Sequence, residues 1–326
     1  MAQSYLIAEV SLRRNYGDLR FCPQDSAEDL EKSKRRSLSR IALMRGGFEI
    51  LEPGKGAGPD SPFLEEALLP PTFQNLTSAA LAANEEEKTY AAINIEEHLL
   101  LKACGDPEEA SVLVSRVRAL ERDMADEKHP FAQNGHFDYL SYRPVLAGSG
   151  LHMTLVLHLP MLSFLRQIPS LTDALLKEDR CTLKPLNALE GRNPARLFLI
   201  SNASSHGLRD EEILSMVHQC GEKLDAKEKI LRDKALDGQK MSGVLDQVWR
   251  SYGILGCARR LSSNDFLNLW SGIRLGAAAG VLPLSLKQAD DLLGLARDSA
   301  FFKEGVEPKT IPYRRADRVR QALTGG

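Results

Sequence analysis

The sequence predicts an α/β (α+β) protein whose last part is wholly helical. Strand-like runs and helical spacing alternate up to about residue 237, and beyond that point only helical spacing remains. A 326-residue chain with 43% apolar residues is also long enough to bury a sizeable core. The division is drawn at residues 1–237 for the α/β domain and 238–326 for the helical domain, with the charged helix from Asp210 to Asp237 able to belong to either.

Tyr5 to Leu12 alternates as a strand, and the charged stretch from Ala27 to Leu43 has helical spacing. A Gly/Pro-rich loop, Glu52 to Pro62, precedes β-rich runs at Leu64 to Pro70 and Thr89 to Leu101, the latter carrying an acidic turn. Helical spacing returns between Pro107 and Ala125. His136 to Arg143 and Leu151 to Leu159 read as paired strands around a Gly148-Ser149-Gly150 turn, with Pro160 ending the second. A helix from Met161 to Lys177 and strands at Arg180 to Leu186 and Arg196 to Ser201 complete a mixed sheet. From Arg209 the pattern is helical, punctuated by Pro283 and Pro308.

A net charge of -2 gives no global attraction to nucleic acid or to an anionic membrane. No apolar run approaches the roughly 20 residues of a membrane span, and Met1 to Arg13 lacks the apolar core of a leader, so a cytoplasmic protein is expected. Cys22, Cys104, Cys181, Cys220 and Cys257 are odd in number and scattered, which encodes neither a disulfide framework nor a zinc site; no metal is expected. His152 and His158 share a strand face, but six strand residues span about 20 Å, too far for one ion.

Pro53 to Pro59 lacks the residue order of a phosphate-binding P-loop and reads as a surface loop. Gly148-Ser-Gly150 leads into a strand and not a helix, so it is a tight turn. Lys32 to Arg40 is offset by the acids before it and reads as a solvated helix face. Arg314, Arg315, Arg318 and Arg320 stand against the single acid Asp317, and arginine suits bidentate contact with phosphate, so an anion pocket is expected there. Asn94-Ile95-Glu96-Glu97-His98 places two neighbouring carboxylates between apolar runs; on a strand they would face opposite ways, so only one can serve a given cleft as a base.

This acidic hairpin resembles that of the ATP:guanido phosphotransferases, and most closely their bacterial protein-arginine kinase branch. Collinear matches extend it: Arg14-Asn15, Arg20-Phe21, Tyr139-Leu140, Gly148-x-Gly150-Leu151, His158-Leu159-Pro160, Glu190-Gly191, Ile200-Ser201-Asn202, Arg250-Ser251-Tyr252-Gly253 and Ile273-Arg274-Leu275-Gly276. The resemblance implies an antiparallel sheet flanked by helices, followed by a helical C-terminal dimerisation domain. It also implies transfer of the ATP γ-phosphoryl to a guanidinium nitrogen, a reaction that rests on positioning and charge neutralisation. ATP and Mg would be the cofactors if the chain is active. The implied partners are a second copy of the chain, protein substrates, a Clp chaperone-protease system and a zinc-binding activator, with no nucleic acid and no membrane.

Carried over position by position, the family's five phosphate-gripping arginines fall on Glu9, Ser11, Leu100, His152 and Pro185. Its guanidinium-orienting base falls on Glu96, with Glu97 beside it and Ile95 where the family has a first acid. A nucleotide-associated histidine falls near Ala67, and the substrate-side cysteine at Arg143 or its neighbour. The family's phosphoarginine pocket maps to Ile311 to Ala316, keeping Arg315-Ala316 and bringing in Arg314. Each lost phosphate contact removes about 1.5 to 3 kcal/mol. Five such losses together approach the roughly 8 kcal/mol of a micromolar complex. The resemblance therefore implies a catalytically impaired member, a pseudokinase acting through partner or phosphoarginine binding. The alternative is an active protein-arginine kinase whose triphosphate is held by other cations, with Arg13, Lys102, Arg143, Lys184 and Arg192 as candidates.

Overall fold

A computed structural model of the chain describes residues 3–22, 24–44, 47–53, 76, 78–186, 193–236, 242–302 and 304–324. The expected loop at Pro53 to Pro59 lies almost wholly outside these residues. So do the β-rich run at Leu64 to Pro70, Ala67, Glu190-Gly191 and Arg192.

Eight strands form one sheet in the order β2-β3-β4-β5-β1-β8-β10-β9. They are β1 (Tyr5–Arg14), β2 (Glu49–Leu51), β3 (Ala80–Asn84), β4 (Thr89–Ile93), β5 (Leu99–Gly105), β8 (Leu151–His158), β9 (Cys181–Pro185) and β10 (Leu197–Asn202). The short pair β6 (Gln133–Asn134) and β7 (Asp138–Tyr139) stands apart. Every pairing in the large sheet is antiparallel, where the periodicities suggested a mixed sheet.

One sheet face carries Ala8, Val10 and Leu12 of β1 with Met153 and Leu155 of β8, all fully buried. Helices α1 (Ala27–Ile41), α2 (Ala110–Met124), α4 (Ile168–Glu178) and α5 (Asp210–Leu236) cover it, α2 through Leu113, Val117 and Met124 and α5 through Ile213, Val217 and Leu224. Ser26 starts α1 with a capping box in which Asp29 returns the bond, so two orphan backbone donors are satisfied. Beyond α3 (Pro160–Phe164), the C-terminal helices α6 (Ser242–Cys257), α7 (Ser263–Ala278), α8 (Leu286–Asp291) and, after the short α9 (Ser299–Phe302), α10 (Ile311–Thr324) form a second cluster. That cluster is centred on Trp270, Phe266 and Ile273 and reaches Val156 and Leu197 on the opposite sheet face.

Two readings from periodicity need correction, and strand also forms where none is expected. The stretch from His136 to Arg143 does not pair with β8, which lies between β1 and β10; only Asp138–Tyr139 is strand, and it pairs with Gln133–Asn134. The inward residues of β8 need cover on both flanks, which a surface hairpin could not give them. The expected single helix from Met161 to Lys177 is two helices, α3 and α4, separated where Arg166 takes a left-handed φ of 55° and Pro169 follows in the first turn of α4. β3 went unread because Ala80-Leu-Ala-Ala is alanine-rich, a composition that favours helix by propensity.

Glu228 of α5 ties this helix to α3. Its carboxylate accepts the Met161 and Leu162 amides at 2.7 and 2.9 Å, and burial pushes its pKa up from 4.5 to about 7, the two amides and Arg232 opposing the shift. A raised folded-state pKa means that the folded chain binds the proton more tightly than the unfolded one. The contribution is therefore full below about pH 4.5 and lost as pH rises through about 7. In denaturant titrations, the stability of wild type relative to Glu228→Gln should improve by up to about 3 kcal/mol from pH 8 to pH 5.

Candidate active site

The acidic hairpin is the loop from β4 to β5. Asn94 enters it with φ 52°, a conformation that asparagine tolerates better than most residues, and its amide donates to the His98 carbonyl at 3.1 Å to close the turn. The Asn94 side chain donates to the Leu30 and Ser78 carbonyls at 2.8 and 2.9 Å, fixing the loop to α1.

The two carboxylates diverge. Glu97 is 3% exposed, accepts the Asn15 amide at 2.5 Å and the Ser141 hydroxyl, and is pushed upward in pKa by burial against those bonds. The Glu96 side chain is 43% exposed and meets Arg13 at 3.7 Å. Glu97 is thus a fastening of the loop, and Glu96 the acid that a ligand can reach.

Asn15 is the centre of that fastening. Its Nδ2 donates to Glu97 and, at 3.3 Å, to the Leu140 carbonyl, while its Oδ1 accepts the His98 amide at 3.0 Å. The next amide, Tyr16, donates to His98 Nδ1 at 3.1 Å, and burial pushes the His98 pKa down. Arg14 is fully buried, donating to Glu121 at 2.5 Å and to the Ser149 carbonyl at 3.0 Å, with its guanidinium 3.4 Å above the Tyr139 ring. Gly150 sits against that guanidinium with φ 70°, so a side chain there would both clash and strain the backbone. The Arg14-Asn15 and Gly148-Ser-Gly150 motifs therefore act as framework. Ser141 carried no sequence signal, because a lone serine in a loop has no spacing to betray it.

On the sheet face opposite α1, α2, α4 and α5, the strands present a polar strip flanked by apolar ground. Register places Ser11 across from both Lys102 and His152, Glu9 across from Cys104 and Thr154, and Arg13 across from Leu100. Four of the expected nucleotide-facing positions, Glu9, Ser11, Leu100 and His152, are thus neighbours on one face. Pro185 lies on the edge strand β9 opposite Phe198, on the helix-covered side; Lys184, opposite Leu199, shares the face of the strip.

The charges on this strip largely cancel. Glu9 holds Lys102 at 2.8 Å with both side chains under a tenth exposed, and Arg13 faces Glu96. Leu100 belongs to an apolar cluster with Leu81, Tyr90, Ala92 and Cys104. Burial, reinforced by the cations Arg13, Lys102 and Lys184, pushes the His152 pKa far down and leaves a neutral ring. Arg143 is exposed over the Tyr142 ring at 5.0 Å, at the acidic-loop end. Among the described residues no cluster of His, Cys, Asp and Glu could hold a metal ion.

The C-terminal arginines divide. Arg315, expected in an anion pocket, is 1% exposed and points inward, donating to the Leu295 and Leu261 carbonyls at 2.7 and 2.9 Å and pairing with Asp298. Arg314, Arg318 and Arg320 instead line, with Arg259, an open pocket of about 700 Å³ that also carries Glu304 and Asp317.

Residues 56–231, more than half of the chain, match the model of the ATP:guanido phosphotransferase C-terminal catalytic domain. The chain belongs to the ATP:guanido phosphotransferase family. Residues 241–325 of this family member match a second model, the protein-arginine kinase McsB C-terminal domain. A protein-arginine kinase from Symbiobacterium thermophilum is 27% identical over 99% of this chain and 94% of its own length. One from Desulforamulus reducens is 35% identical over 44% of this chain and 40% of its own. Among solved structures, a lombricine kinase aligns with a TM-score of 0.59 at 16% identity, covering 72% of this chain and 68% of its own. The duplicated taurocyamine kinase of Schistosoma mansoni aligns with a TM-score of 0.56 at 14% identity, over 81% of this chain and 39% of its own. These structures share the guanido-kinase fold, the antiparallel sheet flanked by helices seen here. No helix among the described residues is long and apolar enough to cross a membrane.

The framework role of Asn15 is open to measurement. Asn15→Ala leaves Glu97 and the His98 amide short of buried partners and should lower stability by about 2 to 4 kcal/mol in urea titrations. Glu96→Gln, at an exposed acid with one long ion pair, should change it by less than about 1 kcal/mol.

Proposed function

We infer that this member of the protein-arginine kinase branch does not grip a nucleoside triphosphate in the family manner and acts by binding, with phosphoarginine as ligand. The observation that carries this reading is the Glu9–Lys102 ion pair, which neutralises the nearest replacement cation with the very residue standing at a family arginine position. Freeing Lys102 for phosphate would leave Glu9 buried beside the incoming anion, a doubly unfavourable exchange. Leu100 and neutral His152 add no positive charge.

The pocket lined by Arg259, Arg314, Arg318 and Arg320 supports the phosphoarginine part, since guanidinium groups pair bidentately with phosphoryl oxygens. Its two acids already pair with two of those arginines, Glu304 with Arg318 and Asp317 with Arg320, so a phosphoryl group must displace or share these pairs, and Arg314 and Arg259 are the other guanidinium groups at the pocket.

One observation favours the rival reading, an active kinase using ATP and Mg: Arg13, Lys102 and Lys184 all lie within electrostatic reach of His152, so basic groups other than the replaced arginines do converge on the strip. Mass spectrometry separates the two. After incubation with Mg-ATP and a protein that an active relative labels, the binding reading expects no phosphoarginine; stoichiometric labelling would establish the kinase. A phosphoarginine-bearing peptide should bind the purified chain, and Arg314→Ala with Arg318→Ala should weaken it at least about tenfold. Unchanged affinity in that variant would remove the pocket from the account.

A further inference from the structure

At one edge of the sheet β9 meets α5, and two cysteines come together there. Cys181 is the first residue of β9, opposite Asn202 of β10, and alternation puts it with Leu183 on the helix-covered face. Cys220 lies on the inward stripe of α5, in helical step with Ile213, Val217 and Leu224. The two residues are 0% and 1% exposed. One turn further along α5, Lys223 pairs at 2.6 Å with Asp179, two residues before Cys181, and this fixes helix to strand beside the cysteines.

The two thiols hydrogen-bond to each other, with Cys181 donating. That bond pushes the Cys181 pKa up, burial adding to it, and pushes the Cys220 pKa down against burial. Cys220 is thus the sulfur that ionises first, and the thiolate is the reactive form of cysteine. An open pocket of about 500 Å³ reaches the pair from the surface. Arg180 and Gln219 line it, the residues immediately before Cys181 and Cys220, so the pocket ends one residue from each cysteine.

We propose that Cys181 and Cys220 form a peroxide-sensitive dithiol, closed to an intramolecular disulfide between β9 and α5 by hydrogen peroxide that enters through this pocket. The Cys220 thiolate attacks one peroxide oxygen; the S–O bond forms as the O–O bond breaks, and the leaving hydroxide takes up a proton as water. The Cys181 thiol then attacks the sulfur of the resulting sulfenic acid. The S–S bond forms as the S–O bond breaks, and the hydroxyl leaves with the Cys181 proton as a second water. Two thiols and one peroxide thus give one disulfide and two waters. Because the attacking Cys220 is 1% exposed, a disulfide as bulky as oxidised glutathione cannot align with its sulfur, whereas hydrogen peroxide is little larger than water. The pair lies away from the acidic hairpin, and its oxidation is independent of whether the chain is a kinase.

The test treats the full chain with hydrogen peroxide, removes the excess with catalase, alkylates the remaining thiols in denaturant and maps the peptides by mass spectrometry without reduction. A linked peptide joining Cys181 to Cys220, released by dithiothreitol, should be the main disulfide, and oxidised glutathione should form it at least about tenfold more slowly. Recovery of both cysteines in alkylated form, or a main disulfide that joins other cysteines, would overturn the proposal; equal rates with glutathione would overturn the peroxide as its oxidant. In Cys181→Ser the reaction should stop at a sulfenic acid on Cys220 that dimedone traps, while Cys220→Ser should give no trapped product at Cys181. The reverse pattern would overturn Cys220 as the attacking sulfur. Circular dichroism checks that both variants fold, and if either does not, the wild-type peptide map decides alone.

Discussion

The site depends on a single side-chain amide. Asn15 stands at the end of the central strand β1 and joins three separate stretches of chain, the acidic loop through Glu97 and His98, the segment at Leu140, and its own strand. A buried amide whose donors and acceptor are all paired permits one geometry and penalises every other, because each broken bond leaves a polar group stranded away from water. Arg14 does the same on the other side of the strand, linking α2 through Glu121 to the turn before β8 through Ser149. Glu96 has a defined position because the residues around it are fixed in this way, although its own contacts are few.

With the loop so fixed, the question of activity becomes one of charge on the neighbouring strip. Phosphoryl transfer needs fixed positive charge where the triphosphate lies. Here one potential contributor is locked to Glu9, another faces the acid of the hairpin, and the histidine between them is neutral. On the binding reading proposed above, the framework of a phosphotransferase and the electrostatics of a phosphate site have come apart in this chain. They can do so because different residues carry them: the framework lies in Arg14, Asn15, Glu97 and Gly150, the electrostatics in the outward positions of β1, β5 and β8.

Much of this was legible in the sequence. Loose alternation marks β1 and alternation marks β8, charge and helical spacing mark α1, and collinear motifs carry the resemblance to the family. The acidic hairpin read as a pair of carboxylates, but which one faced solvent depended on Asn15 and Ser141, from distant parts of the chain, and local pattern cannot express that. The Glu9–Lys102 pair spans strands far apart in sequence, and only the register of β1 against β5 brings it together. Arg315 read as an anion ligand because arginine density says nothing of direction; its place on the buried side of α10 makes it a clamp for carbonyls.

The central claim is that Glu9 withholds Lys102 from phosphate. Calorimetric titration of Mg-ATP into wild type and into Glu9→Gln tests it most directly, because the substitution frees the lysine without adding a cation. The account predicts no measurable binding to wild type at micromolar nucleotide and a gain in affinity in the variant. Micromolar binding to wild type, unchanged or weakened by Glu9→Gln, would contradict it.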